Sequence, residues 1–137
     1  MDYKVLEIDV HKAEKELYGE LSAVEVGRFL PFEVKRVYYI YGVKQGCKRG
    51  FHAHKTLRQM LICPYGSIRI TMDDGCSKES VLLDSPSKGL LMGPGIWRDM
   101  KWIKDDSVLM VLASEHYDEA DYIRDYDAFL QYAANKK

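Results

Sequence analysis

Gly50-Phe51-His52-Ala53-His54-Lys55-Thr56-Leu57-Arg58-Gln59, running on to Gly66, is the stretch whose reading decides the fold. In an extended strand alternate side chains share a face. His52 and His54 therefore project together, and Phe51 and Ala53 project to the other side. Two imidazoles side by side suit either a metal or a pair of groups that handles protons.

The neighbouring sequence supplies strands. Tyr3 to Asp9, Ser22 to Gly27, Glu33 to Tyr41, Gly50 to His54, Gln59 to Cys63, Ser67 to Met72, Glu79 to Leu83, Gly89 to Met92 and Ser107 to Leu112 are short runs rich in Val, Ile, Leu and Tyr. Asp73-Asp74-Gly75 is a hairpin signal, with glycine free to take the positive φ. Pro64-Tyr65-Gly66, Ser85-Pro86-Ser87 and Gly93-Pro94-Gly95 mark further turns. From Asp118 onward Ala120, Ile123, Tyr126, Phe129, Leu130 and Ala133 form an apolar stripe at helical period. Asp118, Glu119 and Asp121 stand where acidic groups favour a helix start. The expected architecture is all-β: about nine strands in a closed or double-sheet barrel, with one C-terminal helix over the open side of a sheet. Such a barrel holds a ligand in its mouth.

Composition bounds the rest. The 137 residues form one expected domain, 1–137, and 47% of them are hydrophobic, enough for a full core. Twenty basic against 21 acidic residues leave a net charge of -1, so neither nucleic acid nor an anionic membrane is an expected partner. Cys47, Cys63 and Cys76 are odd in number and lack C-x-x-C spacing, which argues against a disulfide framework and a structural zinc site. No secretory signal and no apolar run long enough to span a bilayer are seen, so the expected location is cytoplasmic.

The histidine stretch resembles the first cupin motif: a glycine, His-x-His, four residues, an acidic position, six residues and a glycine. Here Gln59 fills the acidic position and Gly66 closes the motif. The second motif normally brings another histidine after a proline turn. The turn is present at Gly93-Pro94-Gly95, yet Trp97, Arg98 and Asp99 follow it, and His11 and His116 lie elsewhere. Two imidazoles and a neutral amide fall short of the three or so protein ligands usual for catalytic zinc or iron. Asp99 is the carboxylate that would have to complete a metal site.

A closer likeness follows. Lys35-Arg36-Val37-Tyr38-Tyr39-Ile40-Tyr41, followed by Arg49-Gly50-Phe51-His52-Ala53-His54-Lys55, resembles the WxcM-like sugar-nucleotide 3,4-ketoisomerases over about Gly19 to Val111. The resemblance implies a jelly-roll cupin without metal or other cofactor. It also implies a homodimer with exchanged strands and dTDP-4-keto-6-deoxyglucose as substrate. It further implies a catalytic centre of His52, His54 and Tyr38. Tyr38 and Tyr39 face opposite sides of their strand, and alternation alone does not choose between them. Moving the ketone from C4 to C3 needs removal of the C3 proton, an enediolate, and return of a proton to C4. His52 is read as the base, His54 as the group beside it that protonates or stabilises the oxyanion, and Tyr38 as a relay. The two histidines are interchangeable at this level.

The diphosphate calls for cations among Arg36, Lys48, Arg49, Arg58, Arg69, Arg98 and Lys101. Arg49 is the first choice and Arg98 the second. Gln59 joins Arg36, Arg49, Arg98 and Tyr18 as an expected substrate-binding residue. Tyr18 and Arg98 are expected to orient the sugar, and a tyrosine or Trp97 to stack on the base. A gluco product is expected over galacto. The competing readings are a 3,5-epimerase, a metal-dependent cupin such as a dioxygenase, and a non-catalytic sugar-binding module.

Overall fold

The structure is a computed structural model and describes residues 1–136. Twelve strands and one α-helix follow one another: β1 Tyr3–Glu7, β2 Val10–Lys12, β3 Glu20–Ser22, β4 Arg36–Ile40, β5 Lys48–His54, β6 Gln59–Tyr65, β7 Ile68–Asp73, β8 Lys78–Leu83, β9 Lys88–Met92, β10 Trp97–Trp102, β11 Val108–Ala113, β12 Tyr122–Ile123 and α1 Tyr126–Asn135. Ten strands make two five-stranded sheets, ordered β1-β9-β6-β11-β4 and β12-β5-β10-β7-β8. All their pairings are antiparallel. The sheets stay open at their edges and face each other as the two layers of a jelly roll.

Both sheets are covered on both faces. Between them lies the main core, with Leu61, Ile68, Ile70, Met72, Leu90, Met100, Trp102, Leu109 and Val111. On the outside of the first sheet Met60, Ile62 and Leu112 meet Leu30, Val24, Phe29 and Phe32. On the outside of the second sheet Ala53 and Trp97 meet Ile123, Phe129 and Leu130. The run Gln59 to Cys63 is therefore buried residue after residue, as expected for a strand covered twice.

Three sequence expectations change. Ser22 to Gly27 is not a strand: β3 ends at Ser22, and the apolar residues beyond it cover the first sheet instead of pairing with it. Trp97–Trp102 was not among the nine expected spans yet is the central strand of the second sheet. Its Arg, Asp and Lys hid it, because a buried arginine breaks the apolar alternation. The helix begins at Tyr126, not Asp118. Asp125 caps it by accepting from the Ala128 N–H at 2.9 Å. Glu119–Asp121 form a separate 3₁₀ turn and Tyr122–Ile123 a strand on β5. The helix does cover the second sheet. Tyr126 ties it there by donating its hydroxyl to Asp73 Oδ2 at 2.5 Å.

Candidate active site

The site starts with a bulge in β5. Arg98 pairs with His52 and Asp99 with Gly50, which leaves Phe51 as one extra residue. Gly50 sits at φ 97° and Phe51 at φ 58°. A Cβ on Gly50 would come within 2.9 Å of Met100 Sδ and 3.1 Å of the Arg98 carbonyl, so the bulge needs a glycine there. Beyond it the regular pleat returns. His52 and His54 lie on one face, edge to face, with ring centroids 4.9 Å apart.

The facing sheet brings Tyr38 and Gln59. Tyr38 turns inward from β4, while Tyr39 is 59% exposed and stacks near Tyr41 at 5.9 Å. Arg98 Nη1 donates to Gln59 Oε1 at 2.7 Å, and Gln59 Nε2 donates to the Tyr38 hydroxyl at 3.1 Å. Guanidinium only donates, so the amide orientation is fixed. The Tyr38 oxygen thus accepts from Gln59, and its own proton is left for another acceptor. Arg98 Nε also donates to the Ile96 carbonyl at 3.1 Å. Arg98 is only 2% exposed, and among the described residues it forms no ion pair with a carboxylate.

Residues 117–124 lie across the histidine side of this interior and were missed by the sequence reading. Asp121 Oδ2 receives His54 Nδ1 at 3.1 Å. Its Oδ1 accepts from the Thr56 N–H and hydroxyl, both at 2.8 Å. Tyr122 packs its ring on His52 at 5.0 Å and on His54 at 4.4 Å. Arg124 stacks over Tyr122 at 4.1 Å and is held by Glu119 through two bonds of 2.6 and 2.9 Å. The only local sequence signal was an acidic cluster, which suggested a helix start.

Two adjoining cavities open here. One of about 300 Å³ is lined by Tyr38, Arg49, His52 and Arg124, and one of about 380 Å³ by His54, Thr56, Tyr117 and Asp121. Arg36 and Tyr122 line both. The imidazoles are neighbours, and Tyr122 and Arg36 stand where the two spaces meet.

Burial, and after it the charge of Arg98, pushes His52 down to about 4. The same two influences, with His52 added, lower His54. Burial works against the ionised form of Asp121, but hydrogen bonds from Thr56 and His54 prevail and hold its carboxyl below the usual range. At neutral pH the His54–Asp121 contact is therefore a hydrogen bond from a neutral ring to a carboxylate. Tyr38 is raised by burial first and by Tyr122 second, against the opposing pull of Arg98. The imidazole nitrogens His52 Nδ1 and His54 Nε2 are buried without a hydrogen-bond partner, as is Arg36 Nε.

The other expected site residues divide. Arg36 and Arg49 line the His52 cavity. Gln59 and Arg98 line neither cavity; they hydrogen-bond one another, Tyr38 and the backbone. Tyr18 is 69% exposed on the loop between β2 and β3 and lines neither cavity. Trp97 packs with Tyr126 at 5.3 Å and Phe129 at 5.8 Å beneath α1 and lines neither cavity. Among the described residues no three His, Cys, Asp or Glu side chains gather as a metal site, and no helix is long and apolar enough to cross a membrane.

A family model described as FdtA, WxcM-like, C-terminal, matches residues 1–134. The chain belongs to the FdtA family. This FdtA-family chain is 51% identical over 116 residues to the TDP-4-oxo-6-deoxy-alpha-D-glucose-3,4-oxoisomerase of Aneurinibacillus thermoaerophilus, which covers 85% of this chain and 84% of the relative. Among solved structures it is similar to a histidine mutant of the 3,4-ketoisomerase QdtA from Thermoanaerobacterium thermosaccharolyticum, in complex with TDP-4-keto-6-deoxyglucose. That match has a TM-score of 0.92 and 38% identity, over 98% of this chain and 96% of that one. It is also similar to the TDP-quinovose 3,4-ketoisomerase WlaRB of Campylobacter jejuni, with a TM-score of 0.88 and 42% identity over 95% and 98% of the two chains. A TDP-fucose 3,4-ketoisomerase of that organism is 32% identical.

Proposed function

We propose that this protein is a sugar-nucleotide 3,4-ketoisomerase. In this reading it moves the keto group of TDP-4-keto-6-deoxyglucose from C4 to C3. The observation that carries the reading is a pair of neutral imidazoles, 4.9 Å apart, set beside a buried arginine without a counter-ion. A neutral imidazole accepts the proton α to a ketone, and a buried cation favours the enediolate that results.

In this reading the hexose lies where the two cavities meet. His52 removes the C3 proton and returns one to C4. Arg98 acts from behind, through space and through Gln59, and Tyr38 offers its free proton to the C4 oxygen. Arg36, Arg49 and Arg124 surround the His52 cavity with positive charge suited to a diphosphate. The ketone and alcohol carbons exchange oxidation states within the sugar, so the atoms and electrons balance without an added oxidant. A gluco product belongs to the same reading. Its support is the higher identity with the relative named for TDP-quinovose, since quinovose has the glucose configuration and fucose that of galactose.

We also infer a homodimer working in the cytoplasm. The β2–β3 hairpin pairs with neither large sheet, and Leu17, Tyr18 and Leu21 stand exposed on it. Exchange of this N-terminal segment between two copies would cover those side chains and let Tyr18 approach the other copy's cavity.

Incubation with TDP-4-keto-6-deoxyglucose in deuterated water, followed by proton NMR, tests the activity. The expected product carries a new C4 centre. A large coupling between H4 and H5, read from a parallel incubation in ordinary water, marks gluco. Inversion at C5 would mean an epimerase. Absence of both a rearranged product and any deuterium uptake would mean a binding module. Activity lost to a chelator and restored by iron would overturn the metal-free mechanism.

A further inference from the structure

Asp121 fixes which nitrogen of His54 carries the proton. An ionised carboxylate only accepts, so at 3.1 Å Nδ1 must be the donor. His54 is 1% exposed and shares its surroundings with the Arg98 cation, so in the resting state, before any substrate proton arrives, it carries one proton. Nε2 is then a bare lone pair, buried and without a partner, on a ring that lines the larger cavity. Asp121 is itself held firmly: two Thr56 donors on Oδ1, the Leu57 N–H on Oδ2 at 3.3 Å, and the Lys55 N–H on its carbonyl at 2.9 Å. A lone pair cannot donate to an oxyanion, so the role first read for His54 does not fit this tautomer.

We propose that Asp121 is a positioning residue that makes His54 Nε2 the acceptor for the proton of the sugar's C3 hydroxyl. This rests on the ketoisomerase reading and divides its labour. His52 takes the C3 proton; the C–H electron pair becomes C3=C4, and O4 receives the Tyr38 hydroxyl proton. The O3–H proton then passes to His54 Nε2. Its electron pair closes C3=O3, and the C3=C4 pair takes the proton back from His52 at C4. The net transfer is one proton from Tyr38 to His54, reversed by exchange with water before the next turnover.

Asp121→Asn is the informative variant. The two Thr56 donors at 2.8 Å on Oδ1 outweigh the single Leu57 N–H at 3.3 Å on Oδ2, so the asparagine keeps its oxygen towards Thr56 and turns its NH₂ towards His54. His54 Nδ1 must then accept, and the proton moves to Nε2. The first measurement is the His54 tautomer by ¹⁵N NMR of the wild-type protein, which depends on neither activity nor a variant. The expected result is a protonated Nδ1 and a bare Nε2. In Asp121→Asn the pattern reverses, kcat falls on the order of 100-fold or more, and KM is nearly unchanged. Wash-out of C3 hydrogen into solvent persists, because His52 is untouched. A wild-type Nε2–H, or a variant that flips the tautomer and keeps its kcat, overturns the proposal. A wild-type protein with the expected tautomer and no isomerase activity would instead defeat the functional reading and leave the His54–Asp121 geometry standing.

Discussion

His52 sits well below the ordinary histidine range, at about 4, because burial and Arg98 both oppose its charged form. In the proposed mechanism, where His52 is the base, it is thus deprotonated at neutral pH, and kcat/KM, which reports the free enzyme, should stay level from pH 7 to 5. The acid limb is expected near pH 4; a limb centred near 6.5 would exclude His52 in this state as the base. The same shift acts on stability. Above pH 6.5 His52 is neutral folded and unfolded and contributes nothing to pH dependence. Between 6.5 and about 4 the unfolded chain takes up the proton that the folded chain refuses, so stability falls as pH falls, by roughly 3 kcal/mol at most. Denaturant titrations of His52→Asn should show a shallower decline over that window. Gln59 gives a second prediction at this scale. Gln59→Glu keeps the partner of Arg98 but replaces a donor to Tyr38 by an acceptor, so Tyr38 donates to the carboxylate and loses the free proton that the proposed mechanism uses. A kcat loss of about 100-fold is expected, with a milder change in KM. Equal kinetics in the two proteins would remove Tyr38's free proton from the mechanism. Strand alternation alone brought His52 and His54 together, because a period of two survives beyond the bulge. The same alternation was silent on Tyr38 against Tyr39, for it does not say which face of β4 looks inward. Asp121 was illegible for another reason: 67 residues separate it from His54, and only the folded chain closes that distance.

Within β5 the bulge decides where His52 points. Gly50→Ala would put a methyl group against Met100 Sδ and the Arg98 carbonyl at a backbone angle that disfavours any side chain. Strain and overpacking together should lower stability by about 3 kcal/mol, read as a drop in denaturant midpoint. Activity should fall further than stability explains, since the Arg98–His52 pairing lies next to the misfit. An alanine variant of unchanged stability would show that the bulge relaxes freely. Most strands were legible from Val, Ile, Leu and Tyr bounded by turn residues, and the Asp73-Asp74-Gly75 hairpin joins β7 to β8 as its turn chemistry requires. β10 was not, since its inward Arg98 serves the site and not the core. The C-terminal helix was legible as an element but not at its start. An acidic first turn at 118–121 and an acidic cap at Asp125 look alike in sequence. Only the second is followed by a continuous apolar face that Ala53 and Trp97 can cover.

At the scale of the molecule, the site is a product of two sheets meeting. The second sheet supplies the histidines and Arg98, the first supplies Tyr38 and Gln59, and the Arg98–Gln59 bond joins them. The outer faces of both sheets are covered over their middle strands from within the chain, by residues 24–34 on one and α1 on the other. Exposed apolar side chains occur at several places on the described surface, and two groups of them are sequence neighbours: Leu17, Tyr18 and Leu21 on the β2–β3 hairpin, with Leu17 at 82% exposure, and Val37, Tyr39 and Tyr41 on and just after β4. Exposed apolar side chains grouped in this way mark an association surface. Light scattering should therefore give twice the chain mass. Replacing Leu17 and Leu21 with serine should shift that mass towards the monomer and leave the fold intact, because neither side chain belongs to a core. If the hairpin also carries Tyr18 to the other copy's cavity, KM for the nucleotide sugar rises as the dimer is lost, and Tyr18→Ala raises it without changing the mass. A monomeric wild-type enzyme at full activity would refute both statements, and a dimer indifferent to Tyr18→Ala would refute the second alone.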